Sequence, residues 1–397
     1  MPPNSPVPIT FAIFCRVIDN YGDVGICWRL ARQLTTEHGI LVILWVDDLA
    51  SLCRICPQVR LGRAVQEVAG VTVRHWRTQD GVFSAQDVAD IVVEFFGCEL
   101  PAGYVTAMAA RVPQPVWFNL EGLSAEEWVE GCHTLTSPHP RLPLIKYFFF
   151  PGFTERTGGL LHETELQDRR RQFQADKAGV AAFMIRLGMT LAETATLKVS
   201  LFCYPHAPVL TLFEAWQSGA HSITCLVPEG VAVDAVTAFL GAPAIPGATR
   251  TVGALTLRVI PFLTQLDYDR LLWACDVNFV RGEDSFVRAQ WAGKPFVWHI
   301  YPQDENLHHV KLRAFLERFA PGPGSVNQLW LYWNDAKSPR AEGDDLAESW
   351  RTFVADRVAI TARVGQWQQD VLANGDLATN LLHFAISLRS AREQNNV

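Results

Sequence analysis

Short β-rich runs alternate with helical runs along this chain, and the alternation happens twice. The first series has strand patterns at 9–16, 41–46, 71–75, 91–95 and 116–119, with helical patterns at 25–37, near 47–56, at 101–111 and at 124–131. The second has strands at 198–203, 222–226, 255–260, 277–280 and 296–299, with helices at 208–218, 230–240, 264–273, 284–292 and 304–319. Strands that alternate with helices build βαβ units around a parallel sheet. Between the series an aromatic strand, Tyr147 to Phe150, ends at Pro151-Gly152, and a polar, arginine-rich helix follows at about 162–177. The pattern predicts an α/β protein of two Rossmann-like domains, within the two or three that 397 residues allow. The tail holds helical stretches at 344–371 and 376–393 with no strand left to cover. The expected domains are therefore 1–155, with a C-terminal helix at about 372–397 packed back on it, and 156–371.

Charge and cysteine usage narrow the class. A net charge of −7 lacks the basic footprint of a nucleic-acid binder, so no nucleic-acid partner is expected. The first residues, Met1-Pro2-Pro3-Asn4-Ser5-Pro6, carry no basic region, and the apolar stretch after them stops at Arg16, unlike a signal peptide. The longest apolar run, Ile40 to Val46, is too short to span a bilayer, so no membrane partner is expected. Nine cysteines scattered through apolar segments read as reduced thiols in a cytoplasmic protein. Phosphate-loop, strand-borne GxGxxG, HExxH and GxSxG motifs are absent. No histidine–carboxylate cluster has metal-ligand spacing, and His308-His309 are expected to point apart on a helix, so no metal is expected.

Two segments carry the chemistry. Asp19-Asn20-Tyr21-Gly22-Asp23-Val24-Gly25 lies where the first strand stops and the first helix begins. Ligands of open parallel sheets bind outside the carboxyl ends of strands, and glycines let backbone approach them closely. The carboxylates Asp19 and Asp23 fit a catalytic loop, and equally a helix cap with a turn aspartate. In the second segment, Asp276 to Ala292, a β-branched strand runs into Arg281-Gly282, and Glu283-Asp284-Ser285 opens a helix. Free N–H groups at that helix start, with the Arg281 fork beside them, suit a diphosphate. Glu283 and Asp284 would repel the same phosphate, so at least one should face another partner. Phe262, Gln265 and Tyr301 lie at strand ends, where Phe262 could stack on a base and Gln265 read its edge; structural roles suit them as well.

DNYGDVGICWRLARQL together with FVRGEDSFVRAQWAGKPFVWHIYPQ closely resembles the elongation factor P arginine rhamnosyltransferase family, EarP, and PGFTERTGGLL at 151–161 adds to the likeness. The resemblance implies a GT-B fold, two Rossmann-like domains facing an interdomain cleft. It implies an inverting bacterial glycosyltransferase; because the sequence shows no metal-ligand cluster, the reaction is expected to be metal-independent and without a cofactor. The enzyme would transfer L-rhamnose from dTDP-β-L-rhamnose to one arginine of elongation factor P. By motif match the general base is Asp23, with Asp19 and Glu283 also catalytic. Matching donor contacts are Asn20, Tyr21, Gly22, Asp23, Phe262, Gln265, Arg281, Gly282, Glu283, Asp284, Ser285 and Tyr301, with Tyr204 by position. A GT-B transferase or nucleotide-sugar epimerase with a different acceptor is the alternative.

Overall fold

A computed structural model describes residues 9–19, 21–77, 81–335 and 346–395, so Asn20 and the first two residues of the stretch 344–371 lie outside the described residues. The described residues form two compact units, one within Met1–Thr164 and Val371–Val397, the other Glu165–Asp370. Residues 156–164 stay with the first unit through their hydrogen bonds. The Gly158 N–H donates to Phe150 O (2.7 Å) and the Thr164 N–H to Glu37 Oε1 (2.9 Å). Leu160 forms a parallel bridge with Asp376.

The first unit contains β1 (Thr10–Cys15), β2 (Leu41–Val46), β3 (Val65–Val68), β4 (Val71–His75), β5 (Ile91–Phe95), β6 (Val116–Leu120), β7 (Thr136–Pro138) and β8 (Ile145–Phe149). They make one sheet in the order β3-β4-β2-β1-β5-β6-β8-β7. β3 and β7 pair antiparallel at the two edges, and the six strands between them are parallel. By chain rank those six stand 3-2-1-4-5-6, a doubly wound order that reverses between β1 and β5. Helices cover both faces of such sheets, so the strands are near-continuous apolar runs. β5 is buried throughout and β1 from Phe11 onward. Phe14 of β1 stacks on Trp45 (5.4 Å) and meets Trp76 (5.6 Å) and Tyr104 (4.8 Å) edge-on.

The second unit contains β9 (Leu197–Leu201), β10 (Ile223–Pro228), β11 (Thr249–Val252), β12 (Leu255–Ile260), β13 (Val277–Arg281) and β14 (Phe296–His299). Their order is β11-β12-β10-β9-β13-β14, with only β11 antiparallel, and it reverses between β9 and β13. Its core is tryptophan-rich. Phe279 of β13 meets Trp333 (4.9 Å) and Trp216 (5.9 Å).

Several details depart from the sequence expectations. The helix expected at 162–177 is replaced by two, Leu166–Ala175 and Lys177–Arg186, because Asp176 caps the second by accepting from the Gly179 N–H (2.9 Å). The stretch 344–371 resolves into Leu346–Ala355 and Arg357–Leu372, and a further helix, Ser325–Trp333, precedes them. The rings of His308 and His309 do not point apart. Their centroids lie 4.2 Å from each other at the start of the helix Leu307–Phe319.

Candidate active site

Each sheet reverses its strand order beside one of the two candidate segments. In the first unit β1 leads into the loop that carries Asp19, and the helix Gly22–His38 follows. The Gly22 N–H donates to Asp19 O (2.8 Å), and the Gly25 N–H to Tyr21 O (2.9 Å). Tyr21 holds the N-cap position without a side-chain cap bond of its own. Asp23 lies in the first turn, 4% exposed, and its Oδ2 accepts from the backbone N–H of Ile18 (2.7 Å) and of Asp19 (2.9 Å). Both bonds fall on one oxygen, Oδ2. Burial raises the Asp23 carboxyl above its ordinary range; the two N–H bonds oppose the rise, and the nearby Asp19 and Asp47 carboxylates add to it. A raised carboxylate basicity is what proton abstraction needs. Gly22 fits because a Cβ there would stand 3.1 Å from Asp19 Oδ2. Asp47, just after β2, fastens the same loop by accepting from the Val17 N–H (2.9 Å).

In the second unit Arg281 ends β13, Gly282 turns with φ of +62°, and the helix Asp284–Ala292 starts with Glu283 at its N-cap position. That φ is open to glycine and strained for side chains. The Ser285 hydroxyl closes the turn, accepting from the Arg281 N–H (3.0 Å) and donating to the Arg281 carbonyl. The Arg281 guanidinium donates to Cys203 O (3.2 Å) and lies 4.5 Å from the Phe202 ring centre and 4.8 Å from that of Tyr204. Cation–π contact of this kind fixes a guanidinium without neutralising it. Glu283 forms an ion pair with Lys311 (3.5 Å), a partner other than a phosphate, as the sequence leads one to expect of it or Asp284. Tyr301 meets Tyr204 edge-on at 5.6 Å.

Phe262 and Gln265 approach from the strand on the far side of β10. Phe262 is half-buried in the loop after β12, and buried Gln265 begins the helix Gln265–Ala274. That helix reaches the turn through Tyr268, whose ring lies 5.8 Å from Phe202, and through Asp269. The Asp269 carboxylate accepts Arg288 Nε (3.0 Å) and Nη2 (2.7 Å) in a buried bidentate pair. Thus Tyr204, Arg281, Gly282, Glu283, Asp284, Ser285 and Tyr301 cluster at the carboxyl ends of β9, β13 and β14, while Asp19, Tyr21, Gly22 and Asp23 belong to the other unit.

Chemically, the first loop offers a buried base, and the second turn offers a fixed cation beside a helix N-terminus, the complement of a diphosphate. Among the described residues no three His, Cys, Asp or Glu gather as metal ligands. No helix among them is long and apolar enough to cross a membrane. Phe202, His299, Lys311 and Asp47 escaped the sequence reading. Phe202 and His299 had a usable signal, their place at carboxyl ends of expected strands; Lys311, a helix away, had none. His299 is buried and accepts the Tyr204 N–H on Nδ1 (3.1 Å).

Residues 11–386 match the family described as Elongation-Factor P (EF-P) rhamnosyltransferase EarP. The protein-arginine rhamnosyltransferase of Pseudomonas putida is 46% identical over 381 residues, 94% of this chain and 98% of the relative. That of Pseudomonas aeruginosa is 43% identical over 378 residues, 94% of this chain and 97% of the relative. A solved structure described as the structural basis for EarP-mediated arginine glycosylation of translation elongation factor EF-P is similar too. It matches with a TM-score of 0.65 at 34% identity, over 95% of this chain and 99% of that one.

Proposed function

Because this chain belongs to the EarP family of elongation factor P rhamnosyltransferases, with the two α/β units of a GT-B glycosyltransferase, we propose that it transfers L-rhamnose from dTDP-β-L-rhamnose to one arginine of elongation factor P. The acceptor is a translation factor, so the reaction belongs to the bacterial cytoplasm. The observation that carries the donor half is the Arg281 turn, a guanidinium held by two rings and a carbonyl beside a helix start.

A guanidinium is a poor nucleophile, its lone pairs delocalised and its pKa above about 12. Full deprotonation at neutral pH costs roughly 7 kcal/mol, at 1.36 kcal/mol per pKa unit. Proton loss is easier when it accompanies bond formation, with a carboxylate in hydrogen-bond reach. In this reading the Asp23 carboxylate takes the proton as the arginine nitrogen bonds to rhamnose C1 and the C1–oxygen bond to the diphosphate breaks. Attack on the face opposite the leaving group inverts the β-linked donor. The departing dTDP carries the electron pair as phosphate charge, which Arg281 and the N–H groups of the Asp284–Ala292 helix stabilise without a metal or cofactor. Phe262 stacks on thymine, and Gln265, Tyr204 and Tyr301 complete the donor site. Asp19 serves as the second carboxylate, holding the acceptor guanidinium and localising its charge away from the attacking nitrogen, and Glu283 is the further carboxylate that the family motif makes catalytic.

Intact-mass analysis of elongation factor P incubated with this protein and either dTDP-rhamnose or UDP-sugars tests the proposal. One deoxyhexose should be added from dTDP-rhamnose alone. An unmodified factor alongside consumed donor would instead favour an epimerase or a different acceptor.

A further inference from the structure

We propose that His299 is the positioning residue of the anion-binding turn, its ring nitrogen and its carbonyl together fixing where Arg281 presents its guanidinium. The inference deepens the donor-site reading above and rests on it. β14 lies next to β13, and β9 on the other side of β13, so Arg281 emerges between two neighbouring strand ends. His299 ends β14 and reaches across that gap. Its Nδ1 accepts the backbone N–H of Tyr204 beyond β9 at 3.1 Å, and its carbonyl accepts the N–H of Gly282 at 3.3 Å.

The donor in the first of these bonds is a main-chain N–H, which can only donate. Nδ1 is therefore the unprotonated nitrogen, and the proton of the neutral ring sits on Nε2. An imidazolium would set N–H against N–H and break the link. Burial holds the ring neutral, taking its pKa down to about 3, and the Arg281 guanidinium pushes the same way. A neutral ring also adds no second charge beside the Arg281 guanidinium.

The consequence for Arg281 is direct. The Cys203 carbonyl and the rings of Phe202 and Tyr204, which anchor the guanidinium, belong to the segment that the His299 bond closes. Losing that bond frees Tyr204 and Cys203 together, so the guanidinium loses its aim while its charge remains. The effect should appear in donor affinity more than in turnover at saturating donor.

Two substitutions separate the hydrogen bond from the ring's bulk. His299→Leu fills much of the space without an acceptor, whereas His299→Asn puts an amide oxygen close to the place of Nδ1. Calorimetry with dTDP should show affinity reduced roughly tenfold in His299→Leu, the scale of one lost hydrogen bond, and largely restored in His299→Asn. Donor KM should rise in parallel while kcat changes less. Equal impairment of the two variants, or unchanged affinity in His299→Leu, overturns the proposal. Should the leucine variant not fold, His299→Asn decides alone, since loss of dTDP affinity there overturns the role. Nitrogen-15 NMR of the wild-type imidazole gives an independent answer. An unprotonated Nδ1 from pH 5 to 8 is expected, and a protonated one overturns the proposal. If wild-type protein bound no dTDP at all, the donor-site reading would fall, and the NMR result would still test the hydrogen bond.

Discussion

Asp23 is held as a poor place for a negative charge and a good place for a proton. Its folded pKa is raised above the unfolded value, so the folded state binds the proton more tightly. Stability is therefore fully present below the ordinary carboxylate pKa and declines as pH rises through the raised one. Asp23→Asn keeps an oxygen for the Ile18 and Asp19 N–H groups and removes the charge near Asp19 and Asp47. Its melting temperature at pH 7.5 should exceed that of wild type, with the gain vanishing below about pH 4. Rhamnosyl transfer should fall by ~10²–10⁴ while donor binding stays near normal. A variant that transfers normally would remove Asp23 from the role of base, and one that melts lower at pH 7.5 would contradict the raised pKa. Arg281 supports a matching pair of expectations. Arg281→Ala should weaken dTDP and dTDP-rhamnose alike by roughly 10- to 100-fold, the scale of one charge-assisted bond. With that charge supplied by protein, transfer should also continue undiminished in excess chelator. Strict dependence of turnover on added magnesium or manganese would contradict this.

Elements differed sharply in how legible they were. β1 with its following helix, and β13 with its own, could be read because each is an apolar run that stops at glycine and acidic residues. The edge strands β3, β7 and β11 could not. VQEV alternates exposed and buried over four residues, TSP is three residues long, and TRTV is almost wholly exposed, so none shows the buried run that marks the parallel strands. The two motifs named most of the candidate residues, Tyr204, Phe262 and Gln265 apart, yet what surrounds them depends on packing between elements remote in sequence. Lys311 beside Glu283 and Phe202 beneath Arg281 are of that kind. So is the Asp269–Arg288 pair, which locks the helix carrying Gln265 to the helix that follows Arg281. Removing one partner of such a pair strands a buried charge. Asp269→Ala should cost about 3–5 kcal/mol in denaturant unfolding of the second unit and weaken dTDP binding with it. A loss under 1 kcal/mol, with full affinity, would show that the pair does not organise the donor site.

Across the whole molecule, the chain leaves the first unit at Thr164, builds the second, and returns at Val371. The returning segment is anchored like an internal element. Leu377, Ala378, Leu381, Leu382 and Ala385 are buried at helical spacing. Gln33 donates to Asp376 (3.0 Å), Asn374 to Phe153 O (2.9 Å), and Arg392 to the carbonyls of Gln114 and Pro115. Arg389 pairs with Asp90 (3.0 Å), whose other carboxylate oxygen accepts the N–H and hydroxyl of Thr10 at the start of β1. The last helix thus helps seat the strand that delivers the Asp23 loop. Truncation after Asp370 should therefore act on one unit. Amides of β1, β5 and β6 should lose hydrogen-exchange protection, while those of β9 and β13 keep theirs. The functions should separate in the same way. Binding of dTDP, assigned to the second unit, should survive the truncation, and transfer to elongation factor P should disappear with the Asp23 loop. Calorimetry and intact-mass analysis on one preparation decide the matter. If dTDP binding and transfer vanish together while β9 and β13 stay protected, the donor site needs the first unit, and the division of labour proposed here is wrong.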